Sequence, residues 1–386
     1  MTGSARVRVG LGMAALGAVG IFDGALGVAW PSMRLTFDQP LAALGIVIGA
    51  YTAGYFVTSL AGGWLLERVG TGNAMLGIAA SAIVGATLFA VSPTWAVVLV
   101  GASVLGVSGG AADLTLNHDF AQHQSLRAIG FLHAAWGLGA AGGPALVTLF
   151  VTADRTWRWA YVPVIVLQGA LLVAFLVVRR DWAPVPRRAD VGDDVEPLDP
   201  IAFATAIALF FVYVGLEAGV GSWGFTLLTA ARGMDDGPAG AWMSAYWLSL
   251  TAGRLLLGVA GGGRRPDAIL TGSVVGAVAG CAVLWLDPAG LGELAIVPIG
   301  LSLASVFPVL VAVTPARLGV HRAARAIGMQ VAASAVGGVA VPAALGIAAQ
   351  WLDVDVIPAL LSSWAVVFAG LHAVALSRRR VGAARR

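Results

Sequence analysis

The sequence predicts an all-α membrane protein whose twelve transmembrane helices form two pseudo-symmetric six-helix bundles. Three observations predict this fold: twelve long apolar stretches, an internal repeat, and one long polar segment near the middle of the chain. Of the 386 residues, 59% are hydrophobic and only 11% are charged, whereas soluble globular proteins have about 25% charged residues. This composition excludes an ordinary soluble enzyme, a nucleic-acid-binding protein and a disordered scaffold.

The apolar stretches are each long enough to cross a bilayer, which takes about 20 helical residues. In the first half of the chain the predicted spans cover residues 9–33, 39–66, 74–91, 95–119, 126–151 and 157–178. In the second half they cover residues 200–229, 237–262, 267–286, 292–315, 324–351 and 356–376. The first stretch follows Arg6 and Arg8, as in a secretory signal peptide. However, Asp23 within it and the eleven further spans favour a helix that is retained.

The polar segment 179–199 contains four Arg and six acidic residues and separates six spans from six. It predicts a cytoplasmic linker between an N-terminal half, residues 1–178, and a C-terminal half, residues 200–386.

An internal repeat supports this division. Residues 127–145 recur as residues 325–343 with nine identical positions, and Asp23 and Gly27 correspond to Glu217 and Gly221. The two halves are therefore predicted to be parallel repeats related by an axis along the membrane normal, an arrangement found in transporters.

The arginines indicate the orientation of the chain. All 23 basic residues are Arg. With the N-terminus inside, 18 of them lie in cytoplasmic segments and 4 in outer loops, while Arg254 lies within the eighth span. Because cytoplasmic segments carry an excess of basic residues, we expect a multi-pass protein of the cytoplasmic membrane with both termini in the cytoplasm.

Three acids within the spans, Asp23, Asp113 and Glu217, are the main candidates for function. A charge at the bilayer centre costs at least ~2.5–3.5 kcal/mol on insertion scales, so such residues face a cavity or a partner, or stay protonated. A helix rises about 1.5 Å per residue. Asp23 and Glu217 are therefore expected about 3–4 Å from the bilayer midplane on its outer side, and Asp113 about 9 Å from the midplane on its cytoplasmic side. Asp23 and Glu217 are therefore expected to face each other across the halves, with Asp113 lower. The alternative for each acid is a structural role between helices.

Polar and aromatic side chains in the spans complete the candidate site. The candidates for substrate binding are Asp23, Trp30, Asn117, His133, Trp136, Glu217, Trp223, Trp247 and Gln330. The candidates for proton coupling are Asp113, Asp23 and Glu217. Trp is also common at membrane interfaces, and a neutral His between helices is the alternative to a proton relay. Glycines at helical spacing beside Asp23 and Asp113 are expected to serve close helix packing.

Asn117 lies one helical turn after Asp113, so the two side chains share a helix face. An amide donates a hydrogen bond to an ionised carboxylate and accepts one from the protonated form, which suits a proton carrier. The chain has one Cys, and its five His lack metal-ligand spacing, so we expect no metal and no cofactor.

Between the second and third spans, Gly63-x-x-x-Glu67-Arg68-x-Gly70 resembles the G-x-x-x-D-R-x-G-R-R loop motif of the major facilitator superfamily, with Glu in place of Asp and without the final Arg pair. Three longer stretches resemble the fucose-permease-like branch, the fucose–galactose–glucose:proton symporter group. They are Asp113-x-x-x-Asn117 with Phe131, His133, Gly137, Gly139 and Pro144; Glu217-x-x-x-Gly221-x-Trp223 with Trp247, Gly253 and Arg254; and Phe307-Pro308 with Gln330, Gly337, Gly338, Pro342 and Gly346.

The resemblance implies a major facilitator fold in which acids on the first and fourth helices bind substrate and protons. By position these acids are Asp23 and Asp113. A cytoplasmic gate is expected from Gly63, Glu67 and Arg68, together with Arg254. For Arg254, snorkelling of the side chain to the end of its helix is the alternative to a gate role.

These observations predict a secondary active transporter that moves a small solute, such as a sugar or a related polar metabolite, by alternating access and coupled to protons. Asp113 is the favoured proton carrier and Asp23 the favoured substrate acceptor. The expected partners are the solute, protons and the lipid bilayer, without nucleic acid, and the chain is expected to be a monomer. The alternatives are proton-driven efflux of drugs or metabolites and a non-transporting membrane sensor. No enzyme is expected, because the sequence lacks nucleophile–base spacing, a metal motif and a phosphate-binding loop.

Overall fold

The computed structural model describes residues 3–123, 126–182, 200–260, 266–318 and 320–384, and every regular element within these ranges is a helix. The first half of the chain forms α1 (Gly3–Thr36), α2 (Leu44–Val69), α3 (Thr71–Val91), α4 (Trp95–His123), α5 (Leu126–Val151) and α6 (Tyr161–Val178). The second half forms α7 (Pro200–Thr226), α8 (Asp236–Ala260), α9 (Pro266–Leu286), α10 (Ile296–Ala304), α11 (Val306–Leu318), α12 (Val320–Leu352) and α13 (Val356–Ala384). Most of the predicted linker, residues 183–199, and the last two residues of the predicted eighth span lie outside the described residues.

The prediction of an all-helical, multi-pass membrane protein is confirmed. Within the described ranges, eleven helical segments are long and apolar enough to cross a membrane. The remaining predicted span is the eighth, residues 237–262. It corresponds to α8, which has 25 residues and is about 37 Å long. Its length suffices to cross the hydrocarbon core, but polar side chains such as Ser244 and Arg254 make it less apolar than the others. The predicted count of twelve is therefore supported approximately.

The tenth predicted span is not one continuous helix. It consists of α10 and α11, which are separated at Ser305. Pro308 has no backbone N–H and so cannot donate a helical hydrogen bond to the carbonyl of Ala304. Regular bonding resumes at the next residue, where Val309 N donates to Ser305 O at 3.1 Å. The break was not predicted, although the proline that causes it is visible in the sequence.

The described helices group into two compact units. The first comprises Met1–Ala189 and Met234–Leu248, and the second comprises Asp190–Gly233 and Ser249–Arg386, so that α8 is divided between them. In the first unit α1 packs on α5, α2 on α4, and α3 on both α4 and α6. In the second unit α7 packs on α12 and α13, and α9 on α10 and α13.

Glycines allow close contacts between helices, and an equivalent contact occurs within each unit. Gly139 of α5 lies against the backbone carbonyl of Gly17 in α1. Gly337 of α12 lies in the same way against the carbonyl of Phe211 in α7. Gly337 is the repeat equivalent of Gly139, and Phe211 that of Gly17, by the sequence offsets of 198 and 194. A Cβ atom at either glycine would collide with backbone, so these glycines serve packing, as expected.

Candidate polar site in the first unit

Asp23 of α1 is bonded by donors from two other helices. The indole Nε1 of Trp136, on α5, donates to Asp23 Oδ2 at 2.9 Å. The hydroxyl of Tyr51, on α2, forms a second hydrogen bond with this carboxylate. The tight α1–α5 packing brings Trp136 close, because Gly20 of α1 lies directly against the backbone carbonyl of Trp136.

Asp113 of α4 is held in a similar way. Tyr55 of α2 donates from its hydroxyl to Asp113 Oδ2 at 2.7 Å. Asn117, one turn further along α4, donates from Nδ2 to Asp113 Oδ1 at 2.7 Å. The shared helix face predicted for Asp113 and Asn117 thus carries a direct hydrogen bond.

Tyr51 and Tyr55 join the two acids into one network, which we call the acid–tyrosine network (Asp23, Tyr51, Tyr55, Asp113 and Asn117, with Trp136). The two tyrosines are one helical turn apart on α2, so both face the same side. Asp23 and Asp113 are close enough to interact electrostatically. The sequence predicted different depths for Asp23 and Asp113, and the two tyrosines of α2 connect these acids.

The hydrogen bonds to the two acids come from neutral groups. Trp, Tyr and Asn supply them, and within the described parts of the chain neither Asp23 nor Asp113 forms an ion pair. A carboxylate in low-dielectric surroundings without a cation is costly, and hydrogen bonds compensate only part of that cost.

Aromatic rings border the network. Trp136 meets Trp247 edge to face, with ring centroids 5.8 Å apart, and Trp247 contacts Tyr246 at 5.2 Å. On the other side, Phe22 stacks on Tyr51 at 5.1 Å. Trp247 and Tyr246 come from the part of α8 that belongs to the first unit. Trp136 and Trp247, which the sequence suggested as substrate contacts, are thus brought together beside Asp23.

Glu217 of α7 has different surroundings in the second unit. Its Oε1 lies 3.5 Å from Nη2 of Arg254, on α8, and its Oε2 accepts a hydrogen bond from the hydroxyl of Tyr213. Arg254 therefore reaches Glu217 rather than snorkelling to the end of α8.

Three other predicted site residues bond within their own packing environments. Trp30 and Trp223 are fully buried; their indole nitrogens donate to the backbone carbonyls of Leu41 at 3.2 Å and Pro342 at 2.8 Å. Gln330 is also buried, and its Oε1 accepts a hydrogen bond from Thr314 Oγ1 at 3.1 Å. The structure does not bring these three side chains into the acid–tyrosine network. His133 lies partly buried on α5, one turn before Trp136.

The predicted gate motif lies at the end of α2. Glu67 and Arg68 are exposed in the last turn, and Gly63 belongs to the same helix. The helix ends at Gly70, whose φ of 75° falls in the left-handed region that favours glycine. This end is thus set by local sequence, whereas a gate role for these residues stays a prediction.

Tyr51, Tyr55 and a further acid, Asp119, were not among the site residues predicted from the sequence. The predicted fourth span ended at residue 119, but α4 continues to His123 and buries Asp119 at 5% exposure. For the tyrosines, the available signal was two phenol groups at positions i and i+4 in an apolar span. That signal is weak, because tyrosines also pack in cores without a polar partner.

Comparison with known proteins gives one family. The family model described as Major Facilitator Superfamily matches residues 12–342, which is most of the chain. No curated protein sequence matches significantly.

Solved transporter structures share this architecture at low sequence identity. A bacterial homologue of the human lysosomal transporter Spinster, inward-facing and unoccupied, is 13% identical with a TM-score of 0.76, covering 97% of this chain and 98% of that one. A mutant of the nucleoside transporter NupG is 14% identical with a TM-score of 0.75, covering 96% and 99%. The major facilitator transporter FucP, outward-facing, is 16% identical with a TM-score of 0.61, covering 96% and 99%. At these identities the likeness shows the fold alone.

Proposed function

The chain belongs to the major facilitator superfamily, and from this premise we propose that it is a proton-coupled secondary transporter of a small polar solute. The solute class we favour is a sugar or a related polar metabolite. Transport would occur across the cytoplasmic membrane by alternating access, with the N-terminal half (1–178) and the C-terminal half (200–386) rocking about a site near the midplane.

The acid–tyrosine network is the observation that carries this proposal. A proton carrier must be stable both with and without its proton, so its hydrogen-bond partners must be able to reverse their roles. Tyr55 and Asn117 are such partners for Asp113, because a hydroxyl and an amide each donate and accept. They donate to the ionised carboxylate and can accept from the protonated one. This supports Asp113 as the proton carrier.

Asp23 differs from Asp113 in one partner. The indole of Trp136 donates and cannot accept, so its bond to Asp23 favours an oxygen that remains an acceptor. A solute hydroxyl is a donor that such an oxygen would bind, and the rings of Trp136 and Trp247 beside it offer an apolar face to a sugar-like ring. This supports Asp23 as the substrate acceptor.

The test separates coupling from transport. We expect Asp113→Asn to abolish solute accumulation driven by a pH gradient while sparing exchange of solute down its own gradient, because a permanently neutral amide resembles the protonated acid. Both activities are measured in proteoliposomes with and without a pH gradient, using a solute found by a thermal-shift screen, in which a ligand of the folded protein raises the melting temperature. The matched control is Asp38→Asn, since Asp38 is exposed and lies outside the network. Gradient-driven accumulation that survives in Asp113→Asn would transfer the carrier role to Glu217.

We also propose that both termini and the linker 179–199 are cytoplasmic, from the distribution of arginines. Reporter fusions at residue 190 and at the C-terminus should both give cytoplasmic signals. An external signal from either fusion would overturn this topology.

A further inference from the structure

The second unit holds a charged pair that the proposed proton carrier does not use. Arg254 lies in α8, about 9 Å before the end of the helix, and its Nη2 is 3.5 Å from Glu217 Oε1. The side chain of Arg254 is 21% exposed and that of Glu217 is 11% exposed. Because exposure of a guanidinium to lipid at this depth is strongly unfavourable, the exposed part of Arg254 is expected to face a water-filled space.

The geometry of this pair suits exchange of partners. Nη2 of Arg254 lies 3.5 Å from Oε1 of Glu217, and Arg254 is also hydrogen-bonded to the hydroxyl of Tyr213, so Glu217 is not its sole partner. Glu217 also has a second partner, the hydroxyl of Tyr213 on the preceding turn of α7. A hydroxyl bonds either protonation state of a carboxyl group, so Tyr213 can hold Glu217 after Arg254 has changed its partner.

Among the described side chains of the helices that pack against α7, two further titratable groups have partners on α9. Arg317 of α11 pairs with Asp267 of α9 at 3.0 Å. His372 of α13 bonds Thr271 of α9 at 2.9 Å, and Arg378 lies at the exposed end of α13. Arg254 itself contacts Glu217 at 3.5 Å and interacts with the hydroxyl of Tyr213.

We infer that Arg254 binds a carboxylate group of the transported solute, taking it in exchange for Glu217 when Glu217 acquires a proton. This inference rests on the proposed proton-coupled transport and narrows its substrate to small polar solutes that bear one carboxylate. The charges balance: the pair Arg⁺/Glu⁻ becomes Arg⁺/solute⁻ with neutral Glu217, so the net charge of the site is unchanged. An uncompensated charge in the membrane interior is strongly unfavourable, and proton uptake and anion binding therefore occur together.

The experiment compares acids with matched neutral compounds. Thermal shifts of the purified full chain are measured with glucuronate against glucose, lactate against lactamide and benzoate against benzamide, at neutral and mildly acidic pH. We expect at least one carboxylate to bind about 10- to 100-fold more tightly than its neutral partner, as one added charge-assisted contact predicts. The preference should be stronger at acidic pH in the wild-type protein.

Two variants separate the contributions of Glu217 and Arg254 to carboxylate binding. Glu217→Gln imitates the protonated acid, so its carboxylate affinity at neutral pH should match that of the wild type at acidic pH. Glu217→Gln/Arg254→Gln keeps the site uncharged, which protects folding, and should lose the preference for the acid. The matched control is Arg155→Gln, which removes an exposed arginine.

The outcomes are separable. The inference is overturned if every acid binds as its neutral partner does, so that no carboxylate shifts the melting midpoint more than its partner. It is also overturned if the preference for the acid persists in the double variant. Gradient-driven accumulation of a neutral solute would preserve the proposed transport and remove Arg254 from solute binding. Carboxylate binding that depends on Arg254 without any gradient-driven accumulation would instead remove the proposed proton coupling.

Discussion

The acids within the helices of the two units have different hydrogen-bond and charge partners. In the first unit Asp23 and Asp113 are bonded by Trp136, Tyr55 and Asn117, which are all neutral. In the second unit Glu217, the repeat equivalent of Asp23, faces the guanidinium of Arg254. Two positions that are equivalent in the internal repeat, on helices that pack alike, thus have a neutral environment in one half and a cationic one in the other.

The two environments differ in what a change of the acid's charge costs. An acid held by neutral donors changes its charge at moderate cost, because its partners reverse their hydrogen bonds. An acid paired with a cation can lose its charge only when another anion takes its place, since the cation would otherwise be left without compensation. For this reason we propose proton transfer in the first unit and exchange of anions in the second.

The largest expected effect is on the charged pair. Arg254→Gln leaves Glu217 without its cation and should destabilise the protein by about 3 kcal/mol, which is typical of breaking a buried pair. The double variant Arg254→Gln/Glu217→Gln should recover most of the loss. Thermal unfolding in detergent measures both. If Arg254→Gln is as stable as the wild type, the pair contributes no stability and the comparison between the units fails.

The next largest effect is expected at Asp23, the first-unit equivalent of Glu217. Asp23→Asn keeps an acceptor oxygen beside Trp136, so the fold should be retained. Solute affinity should fall about 10- to 100-fold, because the charged hydrogen bond to the solute is lost. Thermal shifts with and without solute report folding and binding in the same samples. Unchanged solute affinity would remove Asp23 from the site and leave its acid–indole bond with a structural role.

The smallest effect compares two tyrosines of the first unit. Tyr161 lies in α6 beside a cavity that Tyr51 and Gln168 also line. Its hydroxyl is buried and makes no hydrogen bond within the described part of the chain. A buried hydroxyl without a partner is unfavourable, so Tyr161→Phe should stabilise the protein by up to about 1 kcal/mol.

Tyr55→Phe is the matched change, because it removes a hydroxyl that donates to Asp113 at 2.7 Å. It should lower stability by about 1 kcal/mol and slow proton-coupled transport. Melting temperatures of the two variants, measured side by side, provide the comparison. If both variants shift in the same direction, hydrogen bonding to Asp113 does not distinguish Tyr55 from Tyr161.

Much of the architecture could be predicted because it depends on local properties. Apolar stretches of spanning length, the repeat of residues 127–145 and the paucity of charge identified an all-helical membrane protein. The Asp113–Asn117 bond was also predictable, since a spacing of four residues places two side chains on one helix face. The break at Ser305 was not predicted, although Pro308 is visible in the sequence, because the high hydropathy of the span continues across the break.

Hydropathy, helical period and the internal repeat predicted the helical spans, the acids within them and two related halves, because each of these signals can be read from residues that are near one another along the chain. The partners of those acids depend on tertiary packing. Tyr55 is 58 residues from Asp113, and Trp136 is 113 residues from Asp23. Such pairs form where glycines allow helix backbones to approach, and which backbones meet is set by the packing of the whole unit. The acids could therefore be identified from the sequence. Tertiary packing surrounds Asp23 and Asp113 with neutral hydrogen-bond donors and places Glu217 beside Arg254.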